Sequence, residues 1–142
     1  MGVRESRRIL GDYTLTAEDL LLGRTFPDAV VHRADYCLDI HNPAGAGQAE
    51  GEDACPTKTK PYDIPFSVMR PKGLENVLTA GRCISGTHTA HASYRVMRIC
   101  MATGQAAGAA AHLMAKNGVT SRKLDPQLIR QHLMSRGVNL SE

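Results

Sequence analysis

The stretch GRCISGTHTAHASYRVMRICMATGQAAGAAAH, residues 81–112, decides the fold of this chain. Its first half is rich in small and hydroxyl-bearing residues, which predicts a loop. Its second half is an alanine- and glycine-rich run that predicts a helix from about Arg95 to Lys116, closed by the C-cap signal Asn117-Gly118. Residues 75–81 predict a strand that ends opposite the N-terminus of this helix. Ligands of open α/β sheets bind at such a position.

The N-terminus of the predicted helix is the chemically informative part of this layout. Its unpaired N–H groups and its partial positive charge suit an anion or an electron-rich carbonyl edge. Gly81, Gly86 and the small Ser85 would let such a ligand approach the backbone closely. Gly104 and Gly108 lie one turn apart and predict a smooth flank for tight packing. A buried helix in a tight α/β core, with no ligand, is the alternative that stays open.

The rest of the chain predicts two further strands and one long connection. Residues 34–40 alternate in polarity and residues 63–69 are rich in apolar types, so each predicts a strand. Residues 41–61 combine prolines, glycines and mixed charge, which predicts an irregular loop.

Capping signals predict two more helices. Thr16 has the N-cap residue type and Asp19, three residues on, is placed to complete a capping box. Asp125 followed by Pro126 predicts the start of a last helix, which is expected to stop at Gly137.

Composition narrows the function classes. The 142 residues are 42% hydrophobic, with two Phe and no Trp, and the net charge is +3. No dense basic run with interleaved aromatic residues occurs, so no nucleic-acid partner is expected. The apolar run 99–115 is short and interrupted by polar residues, so no membrane partner is expected either. Four widely spaced cysteines and the absence of a signal peptide predict reduced thiols in a cytoplasmic protein.

Three segments carry a family resemblance. IPFSVMRPKGLENVLTAGRCISGTHTAHASYRVMRICMATGQAAGAAAHLMAKNG, residues 64–118, resembles the closing segment of the FAD-dependent oxidoreductases, flavoproteins built like glutathione reductase and fumarate reductase. GVRESRRILGDYTLT (2–16) and DYCLDIHNP (35–43) are similar to the stretch that links the substrate domain of that group back to its cofactor domain. The resemblance implies an α/β (or α+β) fold. Residues 1–61 would form the end of a substrate domain, and residues 62–142 would form the C-terminal part of an FAD-binding Rossmann-like domain.

The resemblance also implies how FAD is contacted. Gly81 and Arg82 would lie near the pyrophosphate or the ribitol, and the helix start from Val96 to Ile99 would direct its N–H groups at the pyrimidine edge of the flavin. Arg98 departs from the family pattern, since a proline is common at this position. The residues expected to bind the cofactor are Gly81, Arg82, Ser85, Val96, Met97, Arg98 and Ile99.

Four residues are candidates for catalysis. His88 and His91 could exchange protons beside the flavin; their H-x-x-H spacing occurs in metal sites, but no carboxylate or cysteine partner lies near in sequence, so no metal is expected. Arg95 could clamp a substrate carboxylate or the phosphates of the cofactor, with a surface salt bridge as the alternative. His41 could be oriented for acid–base work by Asp39 on the same face of a strand, with a plain turn histidine as the alternative.

One motif of such flavoenzymes is missing from the sequence. They hold the ADP half of FAD on a strand–turn–helix unit with G-x-G-x-x-G, and residues 45–51 offer only a glycine pattern with the wrong spacing and context. The sequence therefore predicts the C-terminal portion of an oxidoreductase of a small-molecule substrate, as a fragment or one half of a two-chain enzyme. The alternatives are a non-catalytic module that cannot bind FAD without a partner chain carrying the G-x-G-x-x-G unit, and a hydrolase using Ser85 or Ser93 with His88 or His91. Such a partner chain or a homo-oligomer is the expected association.

Overall fold

The computed structural model of the chain describes residues 5, 7–40 and 57–140. The described part is mixed α/β, which confirms the expected fold class. Its helices and strands are α1 (Ala17–Leu22), β1 (Ala29–Ala34), β2 (Tyr62–Pro65), α2 (His88–Tyr94), α3 (Met97–Asn117) and α4 (Pro126–Ser135), with 3₁₀ turns at Phe66–Met69 and Gly81–Cys83.

Strands β1 and β2 pair antiparallel with an irregular register. Ala29 lies opposite Pro65, Val31 opposite Ile64 and Ala34 opposite Tyr62. Strand β1 therefore carries one extra residue in each interval between these pairs. In the second interval its two residues, 32 and 33, face the single residue 63, which is the two-against-one arrangement of a β-bulge.

The predicted strand over residues 34–40 is wrong except at its first residue. Strand β1 ends at Ala34, and the following residues form only an isolated bridge from Leu38 to Thr57. The backbone carbonyls of Asp35 and Tyr36 accept hydrogen bonds from the side chains of Arg98 and Ser93. Side chains of later helices thus occupy two carbonyls of this segment, and within the described part of the chain its pairing is limited to the Leu38–Thr57 bridge.

The predicted strand over residues 75–81 is also wrong. This segment is exposed over residues 75–77, and Asn76 has a φ of 57°, in the left-handed region that breaks an extended run. Residues 63–69 are half strand and half 3₁₀ turn. The Rossmann-like sheet that the resemblance implies stays a prediction.

The helix predictions are confirmed where a capping signal supports them. Thr16 and Asp19 form a capping box at the start of α1, and Asp125 caps α4 with Pro126 in the first turn. Gly118, with a φ of 63°, ends α3. The loop predicted before α3 is wrong in part, because Thr87 accepts a hydrogen bond from the backbone N–H of Ala90 and so starts helix α2.

The core lies where α3 packs against β1, α4 and the turn at 81–83. Small residues on α3 bring its backbone close to these neighbours, since Ala106 and Ala110 are fully buried. The largest fully buried side chains are Tyr62, Tyr94, Phe66, Leu15, Leu20, Ile64, Met69, Ile84 and Ile129.

Three further expectations concern the connection, the thiols and membranes. Most of the irregular loop predicted over 41–61, including His41, lies outside the described residues. Cys37 is disulfide-bonded, so the expectation of four reduced thiols is wrong; Cys83 and Cys100 are free. Among the described helices, none has both the length and the apolar character needed to cross a membrane.

Candidate functional site

The junction between α2 and α3 forms an open helix N-terminus. Helix α2 ends at Tyr94, and the extended backbone of Val96 redirects the chain into α3. No side chain in the described part of the chain caps α3. The carbonyl of Val96 accepts from Ile99 and Cys100, which leaves the first amides of the helix directed outward. A helix of this length presents a partial positive charge at this end.

The turn at Gly81–Cys83 is fixed against the first turns of α3. Gly81 has a φ of 71°, which favours glycine, and its N–H donates to the hydroxyl of Thr103 over 2.8 Å. A Cβ at Gly81 would come within 3.7 Å of the Cβ of Cys100. Nε of Arg82 donates to the carbonyl of Arg95 over 3.2 Å. The structure thus brings Gly81 and Arg82 to the start of α3, next to the expected cofactor residues Val96 to Ile99.

Arg95 is the best-buried cation of this junction. It is 8% exposed, and one terminal nitrogen donates to Asp39 twice, to the carbonyl over 2.6 Å and to the carboxylate over 2.9 Å. This ion pair is more buried than the surface salt bridge considered from the sequence. It anchors the segment after β1 to the junction, and the role of Arg95 as a substrate clamp stays a prediction.

Arg98 lies in the first turn of α3, where a positive charge opposes the helix dipole. Its guanidinium donates to the backbone carbonyl of Asp35 and lies 5.6 Å from the ring centre of Tyr36. A carbonyl oxygen and an aromatic face therefore compensate the unfavourable position. Arg98 and Ile99 also line a cavity of about 250 Å³ between β1 and α3.

His88 and His91 lie one turn apart on α2, and both approach Glu5. Nδ1 of the exposed His88 is 2.9 Å from a Glu5 carboxylate oxygen, and Nδ1 of His91 is 3.7 Å from the same oxygen. His91 is 1% exposed, and burial, with the nearby guanidinium groups of Arg8 and Arg95, lowers its pKa to about 4. His91 is therefore a neutral imidazole at pH 7. Glu5 is a member of this cluster that sequence reasoning missed.

Ser85 does not contact the α3 N-terminus. Its hydroxyl is 3.0 Å from that of Thr14, and it lines a separate cavity of about 200 Å³ together with Arg8. Ser93 donates to the carbonyl of Tyr36 and lies 2.9 Å from the hydroxyl of Tyr62. Neither serine hydrogen-bonds a histidine in the described part of the chain, so the geometry does not support a hydrolase.

The free thiols flank the same junction. Sγ of Cys83 lies 3.2 Å from the carbonyl of Ala80, and Sγ of Cys100 lies 3.4 Å from that of Arg95. Burial raises the pKa of the Cys100 thiol. A raised pKa disfavours the thiolate, so Cys100 is a packing residue and a poor nucleophile.

A polar pair between β1 and β2 was missed by sequence reasoning. Nδ1 of His32 is 2.7 Å from a carboxylate oxygen of Asp63. These residues are far apart in the chain, and only the bulged register of β1 and β2 brings them together. No local sequence signal predicts the pair. Among the described residues, no group of three or more His, Cys, Asp or Glu side chains is placed to hold a metal.

Comparison with known proteins gives one family. A family model described as FAD dependent oxidoreductase matches residues 1–133. Searches of curated proteins and of solved structures gave no match.

Proposed function

Because the chain belongs to the FAD dependent oxidoreductase family, whose cofactor is FAD, we propose that it forms the surface of the enzyme that faces the flavin and the ribitol. The observation that carries the proposal is the open N-terminus of α3 with the Gly81–Cys83 turn fixed beside it. Gly81 and Arg82 approach the pyrophosphate or ribitol, and the first amides of α3 face the pyrimidine edge.

The charges of the junction support this assignment. The exposed guanidinium of Arg82 and the partial positive charge of the α3 N-terminus act at one place. A phosphate, or the negative charge that a reduced flavin carries near its pyrimidine edge, is stabilised by such groups. Gly81 adopts a left-handed backbone that favours glycine, and because glycine has no Cβ the cofactor can come close to the backbone there.

Bound FAD supplies hydride or electron transfer, and the protein supplies binding, orientation and electrostatics. We propose that Arg82 holds an anionic group of the cofactor and that the α3 amides orient the ring. His91, neutral at pH 7, offers one donor and one acceptor nitrogen on the α2 side of the site. His88 is exposed and paired with Glu5, so it is the candidate that exchanges protons with solvent or with the small-molecule substrate.

In this family a G-x-G-x-x-G unit binds the ADP half of the cofactor, and these 142 residues do not include such a unit. We propose that a protein unit carrying this motif covers α3 along its exposed flank. Gly104 and Gly108 have no atom within 4 Å of an added Cβ, and Met97 and Met101 are 77% and 73% exposed. In this proposal residues 62–142 belong to the cofactor side and residues 1–61 to the substrate side.

The test compares three ligands on the same chain. The protein is titrated with FAD, FMN and ADP, and binding is followed by flavin fluorescence and by amide NMR shifts. FAD and FMN are expected to shift the amides of Gly81, Arg82 and the first turn of α3, whereas ADP, which carries the diphosphate but no flavin, leaves the first turn of α3 unchanged. Arg82→Gln is expected to weaken FMN binding by about tenfold, the loss of one hydrogen bond to a charged group. Arg136→Gln, an exposed arginine after α4, is the matched control.

Two results would contradict the proposal. FMN-induced shifts confined to another surface would place the flavin elsewhere, and an equal effect of ADP would indicate a nucleotide site. If neither flavin binds until a protein carrying the G-x-G-x-x-G unit is added, the chain is the non-catalytic module that depends on a partner.

A further inference from the structure

The bulge in β1 builds a buried acid–imidazole pair. His32 and Arg33 both face Asp63, and one Asp63 oxygen lies 2.7 Å from Nδ1 of His32 and accepts the backbone N–H of Arg33 over 3.2 Å. Arg33 has a φ of 52°, in the region that L-residues rarely adopt. Bulges and such backbone conformations concentrate next to binding sites, where they redirect a side chain.

The pair leaves one nitrogen of His32 unused. Since the Asp63 carboxylate accepts at Nδ1, it favours the tautomer with the proton on Nδ1 and a lone pair on Nε2. Nε2 is buried and makes no hydrogen bond to any described residue. Buried polar atoms are nearly always paired, so an unpaired acceptor indicates a missing donor. A purely structural bridge between the strands explains Nδ1 but leaves Nε2 unexplained.

His32 lines a cavity of about 490 Å³ between β1, β2 and the start of α4. Its lining contains two guanidinium groups, of Arg33 and Arg130, and one carboxylate, that of Asp63, so the cations outnumber the anions. Arg130 is fixed because it donates to the carbonyls of Ala29 and Leu140, each over 3.0 Å. Arg33 is exposed and lines the same cavity.

We propose that this cavity binds a small oxyanion that carries an O–H group. The anionic oxygens face Arg33 and Arg130, and the hydroxyl hydrogen is donated to Nε2 of His32, which Asp63 holds in the accepting tautomer. Hydrogen phosphate and 2-hydroxycarboxylates share this chemistry. The site shares Arg33 with the cavity that Arg98 and Ile99 line, and the proposal does not depend on the flavin assignment.

The experiment uses two pairs of anions of similar shape, in each of which one member carries an O–H group and the other does not. Phosphate and glycolate carry it at pH 7, whereas sulfate and acetate do not. Binding to the full chain is followed by calorimetry and by the imidazole NMR signals of His32. Phosphate or glycolate is expected to bind about tenfold more tightly than its matched anion, the effect of one hydrogen bond to a charged ligand. The preferred member of the two then identifies the source of the oxyanion.

Two variants separate the site from general electrostatics. His32→Gln is expected to remove the preference for the O–H-bearing anion, and Arg33→Gly to weaken binding of every anion by about tenfold. Arg33→Gly relieves the positive φ, so it folds; Asn76→Gly, at the other non-glycine residue with positive φ in the described chain, is the matched control and leaves affinity unchanged. Equal affinity for phosphate and sulfate, absence of binding, or unchanged affinity in both His32→Gln and Arg33→Gly would overturn the proposal.

Discussion

The N–H of Gly81 and the hydroxyl of Thr103 are joined by a 2.8 Å hydrogen bond that ties the turn at 81–83 to the second turn of α3. Thr103 is fully buried, and its hydroxyl donates in turn to the carbonyl of Cys100 over 2.8 Å. With its hydrogen committed to Cys100, the oxygen presents its lone pairs to Gly81. One side chain inside the helix therefore sets the position of the turn.

Replacing this side chain tests the connection. Thr103→Val keeps the volume but removes the acceptor, so the N–H of Gly81 loses its partner and stability is expected to fall by about 1–3 kcal/mol. Thr103→Ser keeps the acceptor and is expected to lose less. Urea unfolding of both variants gives the measurement, and a larger loss in Thr103→Ser than in Thr103→Val would show that packing of the methyl group, not the hydrogen bond, matters.

The buried ion pair between Arg95 and Asp39 gives a second prediction. Arg95→Met leaves the Asp39 carboxylate without this cation, and loss of one partner of a buried pair costs about 3 kcal/mol. Arg98→Met removes an exposed guanidinium from the same junction and serves as control, with an expected loss below about 1 kcal/mol. Chemical denaturation measures both. Similar losses would mean that the burial of Arg95 adds nothing to its pairing.

The lowered pKa of His91 makes the stability of the fold depend on pH, with a sign that can be worked out. Burial lowers its pKa from the ordinary value of 6.5 to about 4, so the unfolded chain binds a proton in this interval that the folded chain does not. Stability is therefore expected to fall as the pH drops from 6.5 toward 4, with a contribution approaching about 1.4 kcal/mol per pH unit.

The comparison of two glutamine variants isolates this contribution. His91→Gln is expected to flatten the slope of unfolding free energy between pH 7 and pH 5, whereas the exposed His112→Gln keeps it. A slope that is identical in wild type and His91→Gln would show that His91 is protonated or solvated in the folded protein.

Replacement of each of two glycines by alanine is expected to change the stability in opposite directions. A Cβ at Gly86 would lie 2.6 Å from the ring and hydroxyl of the buried Tyr94, so Gly86→Ala is expected to destabilise by about 1–3 kcal/mol. Gly104 lies in α3 with no atom within 4 Å of an added Cβ, so Gly104→Ala is expected to stabilise by about 1 kcal/mol. Thermal unfolding measures both, and destabilisation by Gly104→Ala would mean that this flank is covered in solution.

The sequence predicted the elements whose signals are local. Two of these signals are N-cap side chains, Thr16 of α1 and Asp125 of α4, which accept hydrogen bonds from backbone N–H groups two or three residues later. The third is Gly118, whose left-handed backbone ends α3. Such signals act over a few residues, so they can be recognised in the sequence without knowledge of the fold. Gly81, Arg82 and the start of α3 lie together because one turn and one short helix link them, whereas Ser85 of the same expected set lies at another cavity; their contact with the cofactor stays a prediction.

The strands failed because their pairing is not local. Residues 34–40 have a strand-like pattern, but Arg98 and Ser93, far along the chain, take the carbonyls that a neighbouring strand would need. The His32–Asp63 pair needs two extra residues in β1, and no pattern in either strand encodes a bulge. The burial of His91 was missed for a related reason, since the loop predicted around it is helix α2.

The extra residues of β1 also affect whether another strand can add to an edge of the sheet. Within the described part of the chain, each of the two strands has an unpaired edge, which is a template for edge-to-edge growth. The bulges interrupt the even spacing of amide and carbonyl groups along β1, and Pro65 at the end of β2 has no N–H to offer. A foreign strand therefore meets no evenly spaced ladder along the bulged β1 and no N–H at Pro65, so addition of a strand to this sheet is disfavoured.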